Sequence, residues 1–213
     1  MKKLLVMAAM VLSSVGAFAQ YSAGDITIQP KIGLNVADVS NFDNSKTRAG
    51  LTVGVEGEYH ANNWLGISAG VMYSQQGVRR EKTGEISVGD FSGNGSLKQT
   101  YKLDYINIPI LANFYVAKGL ALKAGIQPAF NVNHKEKREL TINSQSADAE
   151  VSLNDIKSFD FSFPVGISYE YCGFTLDARA NFSITDISKN DSNDSNSSKN
   201  EVLQLTFGYK FKL

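Results

Sequence analysis

The chain has 213 residues in which 21 Lys and Arg balance 21 Asp and Glu, so it lacks the basic field that nucleic-acid binding requires. Its one cysteine, Cys172, excludes a disulfide framework within the chain and reads as a small apolar residue at a turn. Past the first segment no long apolar run occurs, which excludes a helical membrane protein but not one that crosses with strands, where apolar and polar residues alternate.

The first segment reads as a secretion signal. Lys2 and Lys3 supply its positive region, Leu4 to Val15 its apolar region, and Ala17-Phe18-Ala19 a small-residue cleavage box. The apolar stretch is shorter than the roughly 20 residues of a spanning helix. Residues 1–19 are expected to be removed as a signal peptide, leaving 20–213 as one barrel domain that starts at Gln20. No cysteine follows the box, so no lipid anchor is signalled. Loss of Lys2 and Lys3 takes the basic count from 21 to 19 against 21 acidic residues, close to neutral.

Strands are predicted over 26–38, 48–60, 64–80, 100–116, 120–134, 157–171, 174–185 and 203–213. The last two show the period most plainly. Phe174, Leu176, Ala178, Ala180, Phe182 and Ile184 lie opposite Thr175, Asp177, Arg179, Asn181, Ser183 and Thr185. Leu203, Leu205, Phe207, Tyr209, Phe211 and Leu213 lie opposite Gln204, Thr206, Gly208, Lys210 and Lys212. A helix would mix these faces. Several strands exceed the usual length of about five or six residues, as tilted membrane strands of about 9 to 11 must.

The connections after the second, fourth and sixth strands are tight. Ala61-Asn62-Asn63, Ala117-Lys118-Gly119 and Cys172-Gly173 supply the Asn and Gly that positive-φ turns need. Those at 39–47, 81–99, 135–156 and 186–200 are long and polar. Short periplasmic turns and long outer loops are the asymmetry of outer-membrane barrels, and they place both termini in the periplasm. Alternation by itself also fits a soluble lipocalin-like barrel with its apolar face inward. Against that stand the loop asymmetry, polar faces rich in Gly, Ser, Asn and mixed charge, and aromatics at two levels. Tyr59, Trp64, Tyr171, Phe174 and Phe211 lie by the short turns; Tyr73, Tyr105, Phe130 and Phe161 lie toward the loops. The predicted fold is all-β: an eight-stranded antiparallel up-and-down transmembrane β-barrel in the outer membrane.

Three stretches carry a family resemblance. Asp104-Tyr105-Ile106-Asn107-Ile108-Pro109-Ile110-Leu111, with Gly70-Val71-Met72-Tyr73-Ser74-Gln75-Gln76-Gly77 and Pro30-Lys31-Ile32-Gly33-Leu34-Asn35, resembles the Bacteroidota-type outer-membrane β-barrel domain family. These are the "porin family" small barrels of OmpA/OmpX-like architecture. The resemblance spans nearly the whole mature chain and implies a fold and a location, with no uniform activity. Pro109 fits a strand only at a bulge or a locally unpaired site. Such barrels usually finish on an aromatic residue. Here Leu213 follows Phe211 and stays on the apolar face, a departure that weakens the inferred docking to the outer-membrane assembly machinery.

Ten charged residues share lumen-facing parity: Lys31, Glu56, Glu58, Lys123, Asp160, Glu170, Asp177, Arg179, Lys210 and Lys212, five acidic and five basic. An eight-stranded lumen is just wide enough to be filled by side chains, so these charges are expected to pair into a plug. Glu56 or Glu58 is expected to meet Lys123 or Arg179. An open lumen would instead make a narrow porin-like channel for ions or small polar solutes.

At the outer rim Arg79, Arg80, Lys135, Lys137 and Arg138 are placed for contact with lipopolysaccharide phosphates, although Glu81, Glu136 and Glu139 interleave as on an ordinary solvated face. The run Asn190 to Ser198 cannot build a core, and it fails the calcium-loop pattern: the Gly is missing and Val202 stands twelfth from Asp191. His60 and His134 fall at opposite ends of an apolar band about 25 Å tall and share no site. No spacing supports His134 with Ser144 or Ser146 and Glu136 as an outer-leaflet lipid-modifying enzyme, and no H-E-x-x-H zinc signature occurs. No catalytic residue, cofactor or metal site is expected. The expected role is structural or exercised through surface loops: envelope integrity, lipopolysaccharide and lipid contact, adhesion, or docking of partners. A monomer is expected, because a closed barrel leaves no edge to pair, and an extracellular ligand reached through the loops stays open.

Overall fold

Period-two alternation sorts each strand into a polar and an apolar face, and closing the sheet commits one of them to the inside. A computed structural model describes residues 21–39, 45–88, 91–142, 145–152, 157–186 and 199–213. The predicted leader, Ser144 and the polar run 190–198 lie outside the described residues. The strands are β1 (Ile26–Val39), β2 (Ser45–His60), β3 (Leu65–Val88), β4 (Phe91–Asn107), β5 (Ile110–Ala117), β6 (Leu120–Ile142), β7 (Gln145–Ser152), β8 (Phe159–Tyr171), β9 (Phe174–Asp186), β10 (Lys199–Tyr209) and β11 (Phe211–Lys212).

Neighbours pair antiparallel, and β1 closes the ring on β10, with Leu34 opposite Leu205, and on β11, with Thr27 opposite Lys212. The eleven segments fill eight positions. β4 and β5 both lie between β3 and β6, β7 and β8 both pair with β6, and β10 and β11 both pair with β1.

The apolar face points outward. Leu34 is 61% exposed and Leu205 50%, while Asn35, Gln204 and Thr206 between them are buried. An apolar exterior around a polar core fits lipid, and the soluble lipocalin-like alternative, which needs the reverse, is excluded.

Turn chemistry sits where the Asn and Gly residues foretold. Cys172 (φ 50°) and Gly173 (φ 83°) form a two-residue turn with both central residues at positive φ, the twist that suits a tight hairpin. Asn62 Oδ1 accepts from the backbone N–H of Trp64 (2.9 Å) and Leu65 (2.8 Å), fixing the first short turn. Both ends of the barrel chain lie at this side: Gly24 N–H donates to His60 O (2.8 Å) and Leu213 N–H to Ile26 O (2.9 Å).

Three features differ from the predicted elements. The fourth strand breaks at Ile108-Pro109: Ile108 N–H donates to Pro128 O (2.8 Å) and Gly70 N–H to Pro109 O (3.1 Å), so the proline sits where no ladder bond is required of it. Tyr105 is no border aromatic but points inward, 1% exposed, sharing parity with Asn107 and Asn113. Much of the loops 81–99 and 135–156 is strand. β3 has 24 residues and β6 has 23, about 80 Å at roughly 3.3 Å per residue, far beyond one bilayer crossing. β3, β4, β6 and β7 thus continue past the ring as a four-stranded wall. Above the lipid neither face of a strand must be apolar, so the alternation that marks membrane strands fades there.

Candidate functional site

The lumen is filled in tiers. At mid-height Lys31, Glu56, Lys123, Asp177 and Arg179 are all buried. Lys31 Nζ lies 2.6 Å from Glu56 Oε2, and Arg179 Nη2 lies 3.0 Å from Glu56 Oε1. Asp177 Oδ2 receives three cations: Lys123 at 2.6 Å, Arg179 at 3.1 Å and Lys31 at 3.2 Å. Of the pairings expected, Glu56 meets Arg179, whereas Lys123 takes Asp177 and Glu58 takes Lys210.

The tier toward the short turns holds Glu58, Glu170 and Lys210. Lys210 Nζ lies 2.9 Å from Glu58 and 3.3 Å from Glu170. Two tyrosines complete it: Tyr115 Oη donates to Glu58 (2.7 Å) and Tyr21 Oη to Glu170 (2.6 Å). Tyr21 stacks on His60 at 4.0 Å between ring centres, and Lys210 Nζ lies 5.1 Å over the Tyr21 ring. The middle tier has three cations and two carboxylates, net +1, and this one has one cation and two carboxylates, net −1, so the two cancel. Parity could have found Tyr115, which alternates with Asn113. Tyr21 precedes the first strand and had no periodic signal.

Toward the wall the filling becomes mostly uncharged, with the buried carboxylate of Asp160 as an exception. Asp160 accepts from Ser183 and Thr185, Asn35 Nδ2 donates to Ser74 Oγ (2.7 Å), and Val78, Leu103, Tyr105 and Ala129 form an apolar layer with Tyr101 against it. A cavity of about 10 Å³, room for one water, is lined by Gln76, Gln127, Asp160, Ser162, Asn181, Asn200 and Val202. Lys212 departs from the lumen set. Opposite Thr27 in the same register as β10, it keeps lumen-side parity but stands at the short-turn rim, its side chain 57% exposed and 2.6 Å from Asp25.

The wall divides the five rim cations by face. Arg79, Lys135 and Lys137 continue the lipid-facing side, together with Lys98 and Lys102; Arg80 and Arg138 face the other way, over the mouth. There Arg138 donates to both oxygens of Glu136 (2.7 and 2.9 Å), and Gln99 donates to it as well (3.0 Å). Glu136 is thereby tied to an arginine, while His134 Nδ1 lies 2.9 Å from Asn131 Oδ1. His60 is buried at the opposite end. Among the described residues no group of His, Cys, Asp and Glu is arranged to hold a metal.

Ion pairs lace the outward side: Lys137 with Glu139 (2.8 Å) and Asp148 (3.5 Å), Lys98 with Glu139 (3.1 Å), and Lys102 and Lys135 with Glu150. Hydrogen bonds from Lys137 and then Lys98 pull the Glu139 carboxyl down from 4.5 to about 2. A lowered carboxylate pKa adds stability above the ordinary value, and the gain is lost as pH falls through the folded one. The Glu150 carboxyl of β7 is lowered as well, chiefly by the hydrogen bond from Lys102 of β4, so the pairs that fasten the β6–β7 hairpin to β4 are expected to be lost as pH falls from about 4.5 toward about 2. Pepsin cleavage mapped by mass spectrometry across that window should concentrate in 135–152; an uncut hairpin at pH 2 would mean that the backbone ladder alone holds it.

Comparison with curated proteins by sequence finds no match. Among solved structures the chain is similar to Ail, the attachment invasion locus protein of Yersinia pestis, at 14% identity over 88% of this chain and 99% of that one, with a TM-score of 0.48. It is also similar to Neisserial surface protein A (12% identity, 87% and 97% covered, TM-score 0.45) and to OprG from Pseudomonas aeruginosa (13%, 91% and 99%, TM-score 0.38). A family model described as "Outer membrane protein beta-barrel domain" matches residues 18–189. With an apolar exterior, a polar interior and that match over most of its length, the chain belongs to the outer membrane protein beta-barrel domain family and resides in the outer membrane.

Proposed function

We propose that this barrel is closed to solutes and serves as an anchor whose outer wall makes the functional contacts with lipid, lipopolysaccharide or partners. The observation that carries this reading is the mutual pairing of charges in two lumen tiers, five groups around Glu56 and Asp177 and three around Lys210, whose net charges of +1 and −1 cancel. Opening a path would strand buried charges, which costs several kcal/mol for each broken pair. The role is structural rather than catalytic. Glu136, two residues along β6 from His134, is held by Arg138. Closure of β1 on β10 leaves no edge within the membrane, which supports a monomer.

Conductance across a planar bilayer tests it. Correctly folded protein, verified by heat-dependent mobility on a denaturing gel, is expected to stay silent. Steady openings that scale with salt would replace this reading with the narrow-channel one.

A further inference from the structure

The register of the wall ranks its outward charges by height. Above the buried Asp104, which shares a row with Gln75 and Asn133, the first cation row is Gly77, Lys102, Lys135 and Ser152 across β3, β4, β6 and β7. The next row is Lys46 of β2, Arg79, Thr100, Lys137 and Glu150. The third is Glu81, Lys98, Glu139 and Asp148. The two lower rows hold five cations and one carboxylate, and the third holds one cation and three carboxylates.

The height of the cations is set by the same register. Tyr73, Ile106 and Phe130 form a lipid-facing row four residues below Gly77 and Lys102 along the strands. Four residues span about 13 Å, or roughly 10 Å of height at the usual barrel tilt. The headgroup layer is only about 5–7 Å thick on each side of the hydrocarbon. The cation rows therefore stand above an ordinary phospholipid headgroup layer and face sideways into the depth that the larger phosphorylated sugar headgroup of a glycolipid fills. Aqueous solutes approach chiefly from above, where the carboxylate row stands.

Resting on the reading of the wall as the working outer surface, we propose that this outward face docks the phosphate groups of phosphorylated glycolipid in the outer leaflet. Lys102, Lys135, Arg79 and Lys137 are the binding cations. Among the described residues Arg79 makes no ion pair with a carboxylate, and Lys135 lies 3.8 Å from Glu150 with both side chains largely exposed. Exposed pairs of that kind are weak, and a phosphate carries more charge than the carboxylate it would displace. The carboxylates of the wall hold the lysines outward and neutralised until lipid arrives.

The test uses the full mature chain folded in detergent and titrated with a fluorescent lipid A glycolipid, its dephosphorylated counterpart, and inorganic phosphate as competitor. The phosphorylated lipid is expected to bind at least about tenfold tighter than the dephosphorylated one. Replacing Arg79, Lys102, Lys135 and Lys137 together by Gln is expected to remove most of that preference. Arg80→Gln with Arg138→Gln, on the inner face, is expected to leave it within about twofold. Heat-dependent gel mobility reports whether each variant folds; if the fourfold variant does not, Lys102→Gln with Lys135→Gln supplies the same readout with a smaller loss. Unchanged binding by the folded outward variant, an equal loss in the inner pair, or equal binding of the dephosphorylated lipid overturns the proposal. Displacement by inorganic phosphate at equal concentration overturns it in favour of a free-phosphate site. Channel openings in the wild-type protein would remove the closed-barrel reading without altering any of these affinities, so the two failures are distinguishable.

Discussion

Asp177→Asn is expected to destabilise the folded barrel by about 3–5 kcal/mol, the cost of removing one partner from a buried ion-pair set. One oxygen of Asp177 faces Lys31, Lys123 and Arg179, all buried, so neutralising it leaves three cations in the middle tier against Glu56 alone. Asn keeps the size and loses the charge, which isolates the electrostatic part. Urea unfolding followed by the heat-dependent gel shift measures the loss. A companion cycle pairs Glu56→Gln with Arg179→Met, where a 3.0 Å contact predicts non-additivity of at least about 1 kcal/mol. For contrast, Glu81→Gln, whose partner Lys46 has a side chain 63% exposed, is expected to change stability little. If Asp177→Asn costs no more than Glu81→Gln, the lumen is wet enough to screen its charges, and the closed-barrel reading goes with it.

Leu205→Lys is expected to cost about 2–4 kcal/mol, the range for a cation on the lipid face near the bilayer midplane. Leu205 stands mid-strand, flanked by Leu34 on β1 and Ala178 on β9, with its side chain outward. The matched control is Thr206→Ser one residue on. It points into the lumen and trades one hydroxyl for another, so it should change stability little. Both variants can be compared by refolding yield into vesicles across a urea series. A Leu205→Lys barrel as stable as the wild type would mean that this row lies at the interface rather than in hydrocarbon, shifting every assigned height, including that of the cation rows on the wall.

How much of this was legible beforehand varies along the chain for definable reasons. On β9 and β10 lipid on one side and a crowded lumen on the other enforce strict alternation, so strand, face and neighbour were all readable from Phe174 to Thr185 and from Leu203 to Tyr209. The tight turns were readable because positive φ restricts residue choice, as at Cys172-Gly173. The unpaired site at Pro109 was anticipated for the same kind of reason, a missing donor, although the division of the strand there was not.

The wall was not readable. Its strands have water or headgroups on both faces, so residues 81–99 and 135–152 look like loops in any one-dimensional reading, and only pairing with β3, β4 and β6 shows them to be sheet. Lys212 keeps the predicted parity, opposite the buried Thr27, but parity carries no height, and its place at the strand end puts it at the rim.

By itself the sequence determined which side chains share a face, where the chain turns and that the inside would be charged, since these follow from period two and from turn stereochemistry. Tertiary structure alone decided who pairs with whom: Asp177 with three cations from three strands, Tyr21 with Glu170, Arg79 apart from Arg80. Partnership across a closed barrel depends on ring order and shear, and those are set by the register of every strand together rather than by any one segment.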